Sequence, residues 1–289
     1  MARLPIIDSH IHLWPESASN PEGHGWMSEG DLLAKQHILS DYYRAAHQDG
    51  FDATAPEVKG VVYVETDRHL ETSRDQPLGV WARQPVEEIR FLRSIVEGQY
   101  GQRDSRTLLG IVAWAPMDQG AKVFEDWLQL AEQTAGAETW SRIKGFRFLL
   151  QGITDRQKFE SLVFSDEFIT ILRSFRSAGR SYSFDVGVDA HSGGVWQLEA
   201  LVKVIERVNE GTENEEKVIF VLNHLCKPDL SIGPLANKNS DDFSRWSKCI
   251  ERFASFPNTY MKLSGHSKQH EAVARSAIRM LLSAEDYVW

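Results

Sequence analysis

The stretch Val218-Ile219-Phe220-Val221-Leu222 is apolar at five successive positions and runs straight into Asn223-His224. Side chains alternate between the two faces of a strand, so such a run buries both faces, as a parallel strand covered by helices requires. Working outward, six more short runs have strand character: Pro5–Leu13, Gly60–Thr66, Leu108–Ala113, Ile143–Leu149, Tyr182–Val188 and Thr259–Leu263. Between most of them apolar residues recur at helical spacing, over Val86–Val96, Val123–Ala131, Phe168–Phe175, Val195–Val208, Phe243–Phe253 and Ala272–Leu282. Ser165-Asp166-Glu167 reads as a helix start, with an N-cap followed by two acids in the first turn. Strand–helix alternation along a whole chain means a parallel sheet, either open or closed into a barrel. Seven strands and a last fragment, Tyr287-Val288-Trp289, favour an α/β fold of the (β/α)8 barrel type with its eighth strand truncated. No G-x-G-x-x-G follows the first strand, which counts against a dinucleotide-binding sheet. One barrel domain is expected over residues 1–289, without repeats or an interdomain linker.

The composition agrees. Of 289 residues, 42% are hydrophobic and 25% charged, ample for a large core and far from a disordered chain. Lys and Arg number 32 against 41 Asp and Glu, a net charge of −9 with no basic cluster, so nucleic acid and anionic membranes are poor partners. Two cysteines, Cys226 and Cys249, cannot build a disulfide framework and fit a reducing compartment. The apolar start of MARLPIIDSH is too short for a signal sequence, and no window has the length of a membrane span. The expectation is a cytoplasmic protein, able to form a homo-oligomer, that handles a small-molecule substrate.

Chemistry concentrates in Asp8-Ser9-His10-Ile11-His12-Leu13-Trp14. Residues two apart share a strand face, so His10 and His12 project together while Ile11 and Leu13 point to the helices. Two adjacent imidazoles at the C-terminal end of a first barrel strand suit a divalent metal such as zinc; the bland alternative is two hydrogen-bonded histidines or a chance H-x-H. The segment Trp14–Val58 is too long for a plain connection. It reads as an elaborated first βα loop over the active-site end, with His24 and Trp26 as candidate substrate contacts or, equally, as a solvated loop.

The opening Ile6-Ile7-Asp8-Ser9-His10-Ile11-His12-Leu13-Trp14 resembles the first strand of the amidohydrolase superfamily. Ile143-Lys144-Gly145-Phe146-Arg147 is similar to its fourth strand, Phe220 to Pro228 (FVLNHLCKP) to its sixth, and Tyr260-Met261-Lys262-Leu263-Ser264-Gly265 to its seventh. The four motifs occur in family order across almost the whole chain. The resemblance is strongest to the amidohydrolase-related branch, and within it to sugar-lactone hydrolases of the fungal rhamnonolactonase type. It implies His10, His12 and His191 as metal ligands, zinc as the favoured metal although some relatives work without one, and His224 as a catalytic group. His191 follows Asp189-Ala190 beyond the fifth strand, and the insertion-like Ser192-Gly193-Gly194 weakens that match; a surface-loop histidine is the alternative. Asn223 stands where an aspartate commonly precedes the sixth-strand histidine. His10, His12 and His224 are expected to converge at the C-terminal mouth.

Arg147 alternates with Phe146 and Phe148 and so points inward, as Lys262 does between Met261 and Leu263. Each is a candidate substrate-binding cation or one half of an internal ion pair; for Arg147 the partner would be Asp185 or Glu65. Cys226 lacks a third orienting group and reads as a packed residue. The family's Gly-Ser-Asp-Trp-Pro-like run, whose aspartate ligates metal and moves protons, has no match here, which leads to the expectation of a fragment or a shortened relative with poor activity. Asp189 is a candidate substitute base. Three functions follow: a hydrolase opening a sugar (aldono) lactone, a metal-dependent decarboxylase of an unsaturated or aromatic acid, or a catalytically dead barrel that still binds a small molecule.

Overall fold

A computed structural model describes residues 4–47, 56–177, 179–228 and 241–262. The chain divides into two compact units between Arg147 and Phe148. Both are α/β, and in both every described strand pairing is parallel.

The first unit contains β1 (Pro5–Ile11), β2 (Glu57–Val64), β3 (Leu108–Trp114) and most of β4 (Ile143–Phe148), adjacent in that order. Between them lie α1 (Leu39–Ala45), α2 (Leu78–Trp81), α3 (Arg83–Val96), α4 (Gln102–Thr107) and α5 (Ala121–Arg142). Val61, Tyr63, Ile111, Ala113 and Phe146 are 0–1% exposed, so the apolar stretches of β2, β3 and β4 lie within the core. Helix α3 buries Val86, Ile89, Leu92 and Val96, a stripe at helical spacing, against this sheet. Helix α5 changes direction at Gly136, whose φ of 69° is a left-handed conformation that glycine adopts without steric cost.

The second unit contains β5 (Ser183–Val186), β6 (Ile219–Leu222) and β7 (Thr259–Met261), again adjacent in order, with α6 (Arg156–Val163), α7 (Asp166–Ser174), α8 (Trp196–Val208) and α9 (Asp241–Ala254). The Ser165 hydroxyl accepts from the Phe168 amide at 3.1 Å, the N-cap expected from the sequence. Phe184 and Phe220 stack edge to face between adjacent strands and are fully buried. The helix expected at Ala272–Leu282, the Tyr287-Val288-Trp289 strand fragment and the Ser264-Gly265 end of the seventh motif lie outside the described residues.

Among the described residues no helix is long and apolar enough to cross a membrane.

Candidate functional site

His10 belongs to β1, and His12 follows one residue beyond its end. Ile11 and Leu13 are buried at 7% and 2%, so strand alternation sends both imidazoles to the opposite face. Their Nε2 atoms face each other at 3.2 Å. His12 Nδ1 lies 2.8 Å from the Val64 carbonyl, which can only accept, so Nδ1 carries the proton and Nε2 presents its lone pair. Two nitrogens bound to one tetrahedral metal at roughly 2.0–2.1 Å stand about 3.3 Å apart, close to the spacing found here. The pair therefore fits two positions of a zinc site. Among the described residues no group of three or more His, Cys, Asp or Glu side chains is arranged to hold a metal ion.

Arg147 and Glu65 form a buried ion pair in the first unit. Arg147 Nε donates to Glu65 Oε1 at 2.5 Å, and Nη2 donates to the Glu65 carbonyl. Burial pushes the Glu65 carboxyl above its usual range while the guanidinium pulls it back. Of the two carboxylates that sequence reasoning offered Arg147, the structure selects Glu65. Asp185 pairs instead with Lys262 in the second unit, Nζ to Oδ2 at 2.6 Å, with side chains 9% and 2% exposed.

The first loop is anchored by aromatic packing. Trp14 bridges to His37 through two backbone hydrogen bonds, and its ring meets those of His24, Trp26 and His37 at centroid distances of 4.5–5.9 Å. His24 is fully buried, with Nδ1 2.8 Å from the Ala18 carbonyl and Nε2 2.8 Å from the Thr66 hydroxyl. Burial, with help from the nearby Arg68, lowers its pKa to about 4. With both nitrogens engaged, His24 is a strut of the loop rather than the substrate contact the sequence suggested. Trp26 likewise donates its indole N–H to the Thr66 carbonyl at 3.0 Å. Gly23 is needed for this closure, since a Cβ there would lie 2.4 Å from the Ala18 carbonyl oxygen.

In the second unit the end of β6 carries an unusual turn. His224, Leu225, Cys226 and Lys227 have φ of 55°, 53°, 55° and 49°, four consecutive left-handed residues without a glycine. The turn closes through Cys226 N to Asn223 O and Lys227 N to His224 O, both 2.9 Å. It is zipped to the preceding loop by Ala190 N to Cys226 O and His191 N to Lys227 O. His191 and His224 are thus on adjoining loops, His191 exposed and His224 half-buried. Lys227 Nζ donates to Gln151 Oε1 at 2.8 Å and lies 3.7 Å from Asp189. Asn223 is 2% exposed, and its carboxamide finds no hydrogen-bond partner among the described residues. Cys226 is fully buried with its thiol pushed upward by burial, in keeping with a packed residue.

Sequence reasoning missed Glu88, Tyr63 and Arg68. The Glu88 carboxylate accepts from the Tyr63 hydroxyl at 2.5 Å and the Thr66 amide at 3.1 Å and faces Arg68 at 3.5 Å. The only available signal was a tyrosine in phase with the buried positions of β2.

An L-rhamnono-gamma-lactonase of Scheffersomyces stipitis is 29% identical over 273 residues, covering 92% of this chain and 74% of that protein. The solved structure of an amidohydrolase from Burkholderia multivorans with bound zinc matches at a TM-score of 0.61 and 20% identity, over 96% of this chain and 78% of its own. The chain is similar to a curated lactonase in sequence and to solved amidohydrolases in fold. A second structure of that protein, with bound HEPES, gives a TM-score of 0.62 at 19% identity over 97% and 79% of the two chains. Amidohydrolase 2 from Bifidobacterium longum subsp. infantis gives 0.56 at 18%, over 94% and 79%. No family profile matches the chain. The lactonase relative supports a hydrolase, and the parallel α/β fold is that of the solved amidohydrolases.

Proposed function

We propose that this chain is amidohydrolase-related and opens a sugar (aldono) lactone to the sugar acid on a (β/α)8-type framework with a divalent metal, zinc foremost. The observation that carries the reading is the His10–His12 pair, with facing Nε2 atoms and the His12 tautomer fixed by the Val64 carbonyl. The lactonase relative supplies the substrate class and the zinc-bound amidohydrolase the metal. His10 and His12 would hold the metal, with His191 assigned as a further ligand. When bound, such a metal polarises an ester carbonyl and lowers the pKa of coordinated water.

The chain's own side chains bind, orient and move protons. His224, lifted out of the strand path by its left-handed turn, is assigned the proton that reaches the departing ring oxygen. Arg147 uses Nε and Nη2 on Glu65, so a substrate oxygen would meet the remaining edge of its guanidinium. Lys262 would meet a second oxygen while Asp185 holds its ammonium in place.

The test couples metal content to hydrolysis. Purified protein loaded with zinc is assayed for acid release from L-rhamnono-1,4-lactone, alongside the His10→Ala/His12→Ala variant. Retained zinc and hydrolysis, both lost in the variant, support the reading. Hydrolysis unchanged in the variant would remove the histidine pair from the reaction. Release of carbon dioxide from an unsaturated acid with no lactone opening would replace a hydrolase by a decarboxylase.

A further inference from the structure

A cavity of about 480 Å3 opens in the first unit between the loop after β1 and the face of α3, and neither His10 nor His12 lines it. Arg68 does, although only 4% of its surface is exposed. Its Nε and Nη2 are buried without a hydrogen-bond acceptor among the described residues, and Glu88 Oε1 lies 3.5 Å from Nε. That oxygen already accepts from the Tyr63 hydroxyl and the Thr66 amide. Glu88 therefore balances the charge of Arg68 without satisfying its donors. Buried donors left in this state normally mark a missing acceptor.

Two more guanidiniums line the cavity, but Arg90 is paired with Glu87 and Arg83 lies 3.9 Å from Glu71. Arg68 is the one with donors to offer. The planar fork of a guanidinium matches the two oxygens of a carboxylate better than a point charge does. The rest of the lining includes amide and hydroxyl groups, Gln84 and Tyr100, beside Phe91 and two carboxylates, Glu22 and the Arg90-paired Glu87, a surface suited to a hydroxylated chain rather than an alkyl one. The volume falls within the range of small-molecule sites. We propose that this cavity binds a small hydroxylated carboxylate anchored on Arg68, at a site separate from the His10–His12 pair.

The inference does not depend on the lactone reading, and its test keeps the two apart. The full chain is titrated calorimetrically with D-gluconate. Saturable binding is expected, weakened about tenfold or more by Ser94→Tyr, which fills the cavity and leaves every charge in place. Arg68→Lys, which keeps the charge and loses the fork, should weaken it by a similar factor, with circular dichroism confirming the fold. Should Arg68→Lys unfold, Ser94→Tyr alone decides. His12→Ala should leave binding unchanged. No saturable binding, or binding lost in His12→Ala but intact in Ser94→Tyr, overturns the proposal. Sulfate competing as well as gluconate would also overturn it, because the site would then be a general anion site.

Discussion

Lowering the pH should destabilise the first unit through His24. In the neutral imidazole Nδ1 donates to the Ala18 carbonyl, and Nε2 lies 2.8 Å from the Thr66 hydroxyl, which also reaches Glu88 Oε1 at 2.9 Å. Protonation puts a charge on an imidazole that burial keeps from water, and places it near Arg68. The pKa of about 4 lies below the ordinary 6.5, so between these values the unfolded chain binds more protons than the native one. Stability then rises with pH across that window and is lost as pH falls from 6.5 toward 4. A shift of that size corresponds to at most about 3 kcal/mol, at 1.36 kcal/mol for each unit. The assay is the urea midpoint by circular dichroism at pH 7, 5.5 and 4.5, for the natural protein and for His24→Asn. Asparagine keeps a donor for Ala18 and removes the titration, so the difference between the two proteins isolates His24 from every other group. At pH 7 the variant should be weaker by about 1–3 kcal/mol, because the buried imidazole and its contact with the Thr66 hydroxyl are lost. That gap should shrink or reverse by pH 4.5. A gap that stays constant across the three pH values would refute the reasoning.

Arg147→Met should cost about 3–5 kcal/mol of stability by stranding the buried Glu65 carboxylate, whereas Glu65→Gln/Arg147→Met should recover most of it, both read from urea midpoints. Ser165→Ala removes the cap of α7 and should lower stability by about 1 kcal/mol, measured as a fall in Tm. At His224, glycine should be more stable than alanine by about 1 kcal/mol in chemical denaturation, because the backbone there is left-handed. In a right-handed helix alanine leads by a similar amount, so the sign of the difference is the test.

The strands were legible because their signal is local. Each of the seven observed strands overlaps an apolar, β-branched run read from the sequence, with ends differing by up to three residues. Helices α1, α2, α4 and α6 were missed: they span four to eight residues, too few turns for a periodic stripe to emerge. The observed α5 runs on to Arg142, beyond the Val123–Ala131 stripe, since the polar stretch Glu132-Gln133-Thr134 interrupts the pattern. In the site, strand alternation was enough to pair His10 with His12 and to turn Arg147 inward. It could not select between Glu65 and Asp185 as the partner, because such contacts depend on register between distant segments. Nor could it separate His24, a buried strut, from a substrate ligand, since both call for a histidine in a long aromatic loop.

The turn at His224 shows how the sequence supports a conformation that its residues individually resist. Left-handed backbone costs about 1–2 kcal/mol for each residue with a Cβ, and four such residues stand in a row. Contacts on both sides hold the turn. Leu225 donates its amide to the Lys262 carbonyl at 3.2 Å and accepts the Trp246 indole N–H from α9 at 3.0 Å, while its side chain and that of Cys226 are buried at 1% and 0%. On the other side, the His191 loop caps the turn through Cys226 and Lys227. A right-handed continuation would turn those carbonyls away and break the zipper between the two histidine-bearing loops. Strained backbone that its surroundings over-determine gathers where a side chain must hold one position. The residue at the head of this turn is His224, so the packing of Leu225, Cys226 and Trp246 fixes the backbone from which its imidazole projects.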